Sequence, residues 1–286
     1  MKRQKSFAND NAKLYIVSTP IGNLEDITLR AINTLKTVDL IYCEDTRNTV
    51  KLLNHYDIKT KMKSFHLFNE NEITSEVIGQ IKNGLNIALV SDAGSPCISD
   101  PGWILVSEAI RNDIDVIVIP GVVAGITALV ASGLSTERFT FYGFLSSKQK
   151  KRTEELKELK NRTETVILYE APHRIKATLE DIDAIMPERQ IVLARELTKK
   201  FEEYSRGTAR EILEELDVVK GEMVIVLEGN KETEKDEELI NLSIEEHYRF
   251  YLDQGMDSKT ALKQVATDRG IPKRDIYQTL FKKEAK

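Results

Sequence analysis

The sequence predicts an α/β protein of two successive strand-and-helix units followed by a small helical module. Three observations carry that reading. Short apolar runs of strand-forming residues recur as far as Asn230, each ending in a polar or Pro/Gly-broken loop, and most are followed by a segment with helical spacing. The rhythm pauses near Ser135 and restarts at Phe139. Beyond Asn230 it gives way to a charged stretch and three short helix-like segments. At 286 residues the chain exceeds one typical domain. The predicted division is a disordered start over 1–12, α/β units over 13–135 and 136–230, a solvated linker over 231–238 and a helical tail over 239–286.

The first unit opens with Leu14-Tyr15-Ile16-Val17, a strand broken by Pro20 and Gly22 in the loop that follows. Asp26-Ile27-Thr28 starts an amphipathic helix through Leu35. Val38 to Cys43 is the next strand and delivers Glu44-Asp45-Thr46-Arg47-Asn48 before a helix carrying Leu52 and Leu53. Ser64-Phe65-His66 begins a further strand, and Ile73, Val77, Ile78 and Ile81 give Glu72 to Lys82 helical spacing. Ile87 to Val90 is a buried strand that empties into Ser91-Asp92-Ala93-Gly94-Ser95-Pro96. Small residues there let backbone approach a ligand, and Asp92 brings a carboxylate to the strand's carboxyl end, where open α/β sheets bind ligands. A helix near Trp103 to Ile110 leads to Asp115 to Ile119, whose unbroken apolar run suits a strand covered on both faces. It stops at Pro120-Gly121, and Val122 to Ala131 follows as a helix rich in small residues. This alternation implies a mainly parallel sheet with helices on both sides.

Phe139 to Phe144 opens the second unit, and Lys148, Lys150, Lys151 and Arg152 lead a charged helix read as a solvated face, with an RNA contact as the alternative. Val166 to Tyr169 ends in Glu170-Ala171-Pro172-His173-Arg174, and Ile191 to Ala194 ends in Arg195-Glu196-Leu197-Thr198-Lys199-Lys200, so both strands deliver charge. A helix near Ala209 to Leu216 and a strand over Met223 to Leu227 close the unit. In the tail, Ile244 to Gln254, Ser258 to Arg269 and Lys273 to Lys283 read as helices parted by Gly255 and Gly270-Ile271-Pro272. Lys259, Lys263, Arg269, Lys273, Arg274, Lys282, Lys283 and Lys286 gather positive charge there. The pattern suits a helix-turn-helix-like module that grips phosphates, although a plain helical cap would share it.

A net charge of −5 argues against a uniformly basic nucleic-acid sleeve but leaves room for local basic patches. No apolar run is long enough to span a bilayer, and no hydrophobic segment follows the polar, basic start, so a cytosolic protein without a secretory signal is expected. Cys43 and Cys97 give neither a disulfide framework nor metal-ligand spacing, and His55, His66, His173 and His247 show no zinc spacing, so no metal is expected. The dinucleotide glycine fingerprint, the phosphate-binding loop and the hydrolase nucleophile elbow are all absent. What remains is a ligand site built from several strand ends.

Leu14 to Leu24, Cys43-Glu44-Asp45-Thr46-Arg47, Ala88 to Pro96, Ile119-Pro120-Gly121, Tyr169 to Arg174 and Ala194 to Lys199 follow one another as do the motifs of the tetrapyrrole methylase superfamily, in its branch that methylates ribosomal RNA. The chain resembles that branch over nearly its whole length. The resemblance implies two α/β domains with a cofactor cleft between them, S-adenosylmethionine as cofactor, and a homodimer. It implies methyl transfer to the ribose 2′-hydroxyl of a cytidine in the decoding region of 16S ribosomal RNA. By the same comparison Pro20, Asp92, Ala93, Gly94, Ser95, Val123 and Ala124 would contact the cofactor, with Tyr169 and Ala194 approaching from the second domain. Ser95 stands where threonine is common, and Val122-Val123-Ala124 replaces a proline-containing segment.

Such chemistry asks the protein to align a hydroxyl oxygen with an already electrophilic methyl group and to exclude water. A nearby carboxylate or histidine would accept the hydroxyl proton, and Glu170, His173 and Glu196 are the candidates. Each has a structural rival role, such as Glu170 pairing with Arg174. Arg47, Arg174, Arg195 and Lys199, with Lys273 and Arg274 in the tail, are candidates to hold RNA phosphate. Two other functions fit less of the sequence: a methyltransferase of the same superfamily acting on a small macrocycle, and a non-catalytic RNA-binding protein.

Overall fold

Strand β1 (Leu14–Val17) is buried because a neighbour covers each edge: β4 (Ile87–Val90) and β5 (Val116–Ile119) run parallel to it, with Leu14 opposite both Ile87 and Val116. In the computed structural model, which describes residues 3–67, 70–216, 220–231 and 239–281, β2 (Leu40–Cys43) lies beyond β4 and β3 (Met62–Ser64) beyond β2. The sheet order is β3-β2-β4-β1-β5, with every pair parallel. Alternation along the strands sends Leu14, Ile16, Ile87 and Leu89 to one face, under α3 (Glu70–Lys82) and α4 (Trp103–Arg111). It sends Val17, Ile41, Ala88 and Val90 to the other, under α1 (Leu29–Thr37) and α2 (Thr46–His55).

Strand β3 departs from the expectation that it begins at Ser64. Its ladder with β2 ends where Cys43 meets Ser64, and the Phe65 N–H makes one last bond to the Cys43 carbonyl at 2.8 Å. Residues 3–12, expected to be disordered, form no helix or strand. Even so, the Gln4 side-chain amide donates to the Val116 carbonyl at 2.9 Å and accepts the Val116 N–H at 3.2 Å, occupying part of the exposed β5 edge.

The second sheet contains β6 (Phe139–Phe144), β7 (Thr165–Glu170), β8 (Ile191–Arg195), β9 (Glu203–Gly207) and β10 (Met223–Leu227), in the order β6-β7-β10-β8-β9. Only β6 and β7 are parallel; β10 inserts antiparallel between β7 and β8. One face carries α6 (Gln149–Leu159), α7 (Ile175–Ile185) and α8 (Ala209–Glu215). The opposite face is covered by α5 (Ala124–Ser132), which follows β5 in the chain but packs Ala128 and Leu129 against Ile167, Val192 and Val224 of the second sheet. A Cβ on Gly125 would sit 3.1 Å from Ile167, so small residues set how closely α5 approaches. On α6, Arg152 is buried and pairs with Asp181 at 2.7 Å instead of joining the solvated face.

The tail folds as α9 (Ile244–Asp253), α10 (Ser258–Asp268) and α11 (Lys273–Phe281) around Tyr251, Ala261, Leu262, Val265 and Ile276. Ser243 and Glu246 form a capping box on α9, and Asp257 caps α10, fixing both helix starts. Arg269 is not a surface charge: its guanidinium donates to the carbonyls of Leu239 at 3.2 Å and Ser243 at 3.1 Å and to His247 Nδ1 at 3.1 Å. Lys259, Lys263, Lys273 and Arg274 are exposed. Most of the expected linker (232–238), together with Lys282, Lys283 and Lys286, lies outside the described residues.

Candidate active site between the two sheets

The loops after β1, β4 and β5 leave neighbouring strands of the first sheet at the same end, and the sequence ties them together. Thr19 and Gly94 exchange backbone hydrogen bonds of 2.8 and 3.0 Å. The Ser18 and Ser95 hydroxyls are 2.7 Å apart, so the serine at 95 keeps the loop tie that its hydroxyl can make. A Cβ on Gly121 would lie 2.7 Å from Ser18 Cβ, which is why the β5 loop needs glycine there. Facing these loops are the carboxyl ends of β6 and β7 and the start of β10, brought to the same end by its reversed direction, Met223 opposite Glu170.

Between the two sets of loops lies a cavity of about 320 Å³. The first sheet's side supplies Ile21, Ala93, Gly94, Ser95, Asp100, Val123 and Ala124. The second supplies Phe144, Tyr169, Glu170, Glu222 and Val224. The Tyr169 hydroxyl accepts the Gly125 N–H at 3.1 Å, and its ring meets Phe141 and Phe144 edge-on at 4.9 and 5.7 Å. One side chain therefore joins the start of α5, at the end of the β5 loop, to the second sheet.

Of the residues singled out for cofactor contact, Ala93, Gly94, Ser95, Val123, Ala124 and Tyr169 share this cavity. Three stand back from it. Pro20 is buried beside the lining residue Ile21. Ala194 is wholly buried, packed with the core beneath α5. Asp92 turns away: it accepts the Asp45 N–H at 3.0 Å and the Asn48 side-chain amide at 2.9 Å, fastening the β2 loop to the β4 loop.

The three proton-acceptor candidates are differently placed. Glu170 lines the cavity, but its carboxylate is held by Arg174 at 3.2 Å, by the Thr178 hydroxyl at 2.6 Å and by the Ala171 N–H at 2.8 Å. His173 is exposed and outside the lining. Glu196 pairs with Lys199 at 2.9 Å and is also outside the lining. Among the phosphate candidates, Arg174 is committed inward, donating to the Leu145 and Ser146 carbonyls at 2.7 and 3.1 Å as well as pairing with Glu170. Arg195 is taken up by Glu203 on the neighbouring strand. Arg47 is 87% exposed and fixed by Asp45 at 2.6 Å, which holds the Asp45 carboxyl down at about 2.

Sequence reasoning missed Asp100 and Glu222. Burial, with the charges of Glu44, Asp92 and Glu222 adding to it and the Ser91 hydroxyl offsetting part of it, pushes the Asp100 carboxyl up to about 7. Burial likewise raises Glu44, Tyr169 and Cys97, the last to about 11. The Ser99-Asp100-Pro101-Gly102 turn was visible in the sequence as a signal. Glu222 had none, because its place depends on how β10 inserts.

A parallel sheet and a mixed sheet that meet over a cavity at their loop ends define a two-unit α/β ligand-binding protein. The family model for tetrapyrrole (corrin/porphyrin) methylases matches residues 13–213, and the chain belongs to that family. It is 50% identical to ribosomal RNA small subunit methyltransferase I of Halalkalibacterium halodurans over 283 residues, 97% of this chain and 98% of that one. It is 46% identical to the Bacillus subtilis protein of the same name, covering 99% of this chain and 100% of that one. Among solved structures, a diphthine synthase superposes with a TM-score of 0.61 at 14% identity, over 76% of this chain and 90% of that one. Uroporphyrin-III C-methyltransferase of Thermus thermophilus, complexed with S-adenyl homocysteine, superposes with a TM-score of 0.55 at 17% identity, over 76% and 97%. These two likenesses establish the fold.

Proposed function

We propose that this protein transfers a methyl group from S-adenosylmethionine to the 2′-hydroxyl of a cytidine ribose in the decoding region of 16S ribosomal RNA. The observation that carries the reading is the extent of the likeness. Relatives named for small-subunit ribosomal RNA methylation match 97–99% of the chain, helical tail included, whereas the uroporphyrin enzyme matches 76%.

The cavity fits the cofactor in size and charge. Its volume falls in the range of about 300–1,000 Å³ usual for small-molecule sites, and its lining carries Asp100, Glu170 and Glu222, a setting that favours a cationic ligand. Bound there, the cofactor supplies a methyl group made electrophilic by a sulfonium. The protein's part is to bind, orient and dry the site. In this reading Ala93, Gly94, Ser95, Val123, Ala124 and Tyr169 form the contact wall, while Pro20, Asp92 and Ala194 shape it from behind. Arg47, Lys199, Lys273 and Arg274 hold phosphate, and Arg174 and Arg195 act by building the loops. Exposed Ile126 and Val130, one turn apart on α5, offer an apolar surface for a second copy, and in this reading the protein works in the cytoplasm as a homodimer. Among the described residues no helix is long and apolar enough to cross a membrane.

Two measurements test the proposal. Mapping 2′-O-methyl groups on ribosomal RNA from cells without this protein should show one decoding-region cytidine unmethylated and restored on complementation; an unchanged map refutes the substrate. Calorimetric titration of the folded protein with S-adenosylmethionine should show binding, and its absence refutes a methyltransferase.

A further inference from the structure

We propose that Asp100 is the group that takes the proton from the attacking ribose hydroxyl. The inference rests on the methyl-transfer reading above and deepens it. Of the lining carboxylates, Glu170 already has three partners, and an acceptor with its lone pairs engaged is a poor base. Asp100 belongs to the same loop as Gly94 and Ser95 and lines the same cavity.

The loop that carries it is held at both ends and strained between. Gly94 is tied to Thr19 and Ser95 to Ser18; at the far end the buried Glu70 carboxylate accepts the Gly102 N–H at 2.8 Å. Cys97 and Ser99 both adopt left-handed backbone, at φ 71° and 65°, which a non-glycine residue keeps only where its surroundings enforce it. Two enforced turns bracketing Ile98, the second directly before Asp100, fix the backbone that carries its carboxylate at the cavity wall.

The charges around it suit the task. Glu44 from the β2 loop, Asp92 from the β4 loop and Glu222 from the start of β10 all disfavour ionisation of Asp100. Tyr169 and Cys97 also feel its charge, Glu170 shares the cavity wall, and Glu70 holds the same loop at Gly102. Burial and these neighbours leave the carboxyl near 7, close to the working pH at which a general base is most effective. A cationic ligand in the cavity pulls that value down and favours the carboxylate. In the reaction the ribose oxygen forms its bond to the methyl carbon while the carbon–sulfur bond breaks, its electron pair remaining on sulfur. The hydroxyl proton passes to the Asp100 carboxylate and then to solvent. The sulfonium charge disappears as Asp100 is neutralised, so that transfer leaves the cavity's net charge unchanged.

The test uses the full-length protein, small-subunit RNA substrate, S-adenosylmethionine and S-adenosylhomocysteine. Calorimetry should show S-adenosylmethionine binding tightening by about three- to tenfold between pH 6 and pH 8, with a much smaller change for the product, which lacks the sulfonium charge. Asp100→Asn should flatten the S-adenosylmethionine dependence. It should lower kcat by about 10²–10⁴-fold and remove the acid limb of the kcat profile, while Asp100→Glu restores part of both. Equal pH dependence for the two ligands overturns the proposal. So does an Asp100→Asn variant that folds and retains kcat and its acid limb. A wild-type protein that binds the cofactor but methylates no RNA overturns the functional reading instead.

Discussion

Arg174→Ala should act on stability before it acts on RNA. The Glu170 side chain is 1% exposed, and its Oε1 lies 3.2 Å from Arg174 Nε; Arg174 is itself only 19% exposed. At that separation and an effective dielectric of about 20, the gross attraction is about 5 kcal/mol. Part of it offsets the desolvation of the guanidinium, which alanine does not incur, and Glu170 keeps its bonds to Thr178 and Ala171. The variant also strips donors from the Leu145 and Ser146 carbonyls. The expected net loss is about 3 kcal/mol, read from urea unfolding by circular dichroism. A cycle with Glu170→Gln should recover about 2 kcal/mol of it in the double variant, because the buried charge goes with its partner. A loss below about 1 kcal/mol together with a large fall in RNA affinity would refute the reasoning and return Arg174 to the phosphate-binding set.

Three further outcomes follow from the same geometry. Gly121→Val places a branched side chain where a single Cβ already lies 2.7 Å from Ser18 Cβ, so S-adenosylmethionine affinity should fall at least about tenfold by calorimetry. Lys273→Glu with Arg274→Glu should weaken RNA binding and lower the slope of log K against log salt by about 2, leaving cofactor affinity unchanged, as a salt series would show. Asp100 binds its proton more tightly folded, near 7, than unfolded, near 3.8, so its contribution to stability is complete below about pH 4 and is lost as pH rises through about 7. Asp100→Asn should therefore raise Tm relative to wild type at pH 8, with the advantage shrinking by pH 5 and gone near pH 4.

The parallel first sheet was legible because its strands are buried on both faces and read as unbroken apolar runs, as in Ile87 to Val90. β9 was not: Glu203-Tyr204-Ser205-Arg206-Gly207 is a half-exposed edge strand, and its polar residues look like loop. The helix α7 hid behind the charged Pro172-His173-Arg174 turn, although Ile175, Leu179 and Ile182 have helical spacing. In the site, the small-residue segments Ala93-Gly94-Ser95 and Val123-Ala124 were legible because close backbone approach demands such residues. The charged residues were harder. Arg174, Arg195 and Asp92 look like ligand-binding groups in one dimension, yet each satisfies a partner that only folding brings within reach.

The placement of α5 explains why the cavity has two walls. Had α5 packed back on its own sheet, the loop after β5 would face solvent and Tyr169 would have no N–H to accept. Instead its small-residue face crosses to the second sheet, so the loops of both sheets are referred to one helix start through the 3.1 Å bond between Gly125 and Tyr169. Positioning of a hydroxyl against a methyl group tolerates little misplacement, and a cavity assembled from two sheets needs a tie of this kind to hold its walls in register. Tyr169→Phe isolates that tie. It leaves the ring contacts with Phe141 and Phe144 in place and removes one acceptor from the first turn of α5, at about 1 kcal/mol of stability. If the tie sets the geometry, kcat should fall by more than that energy accounts for, beyond about fivefold, with KM for RNA unchanged; a proportionate or smaller loss would make the bond structural only.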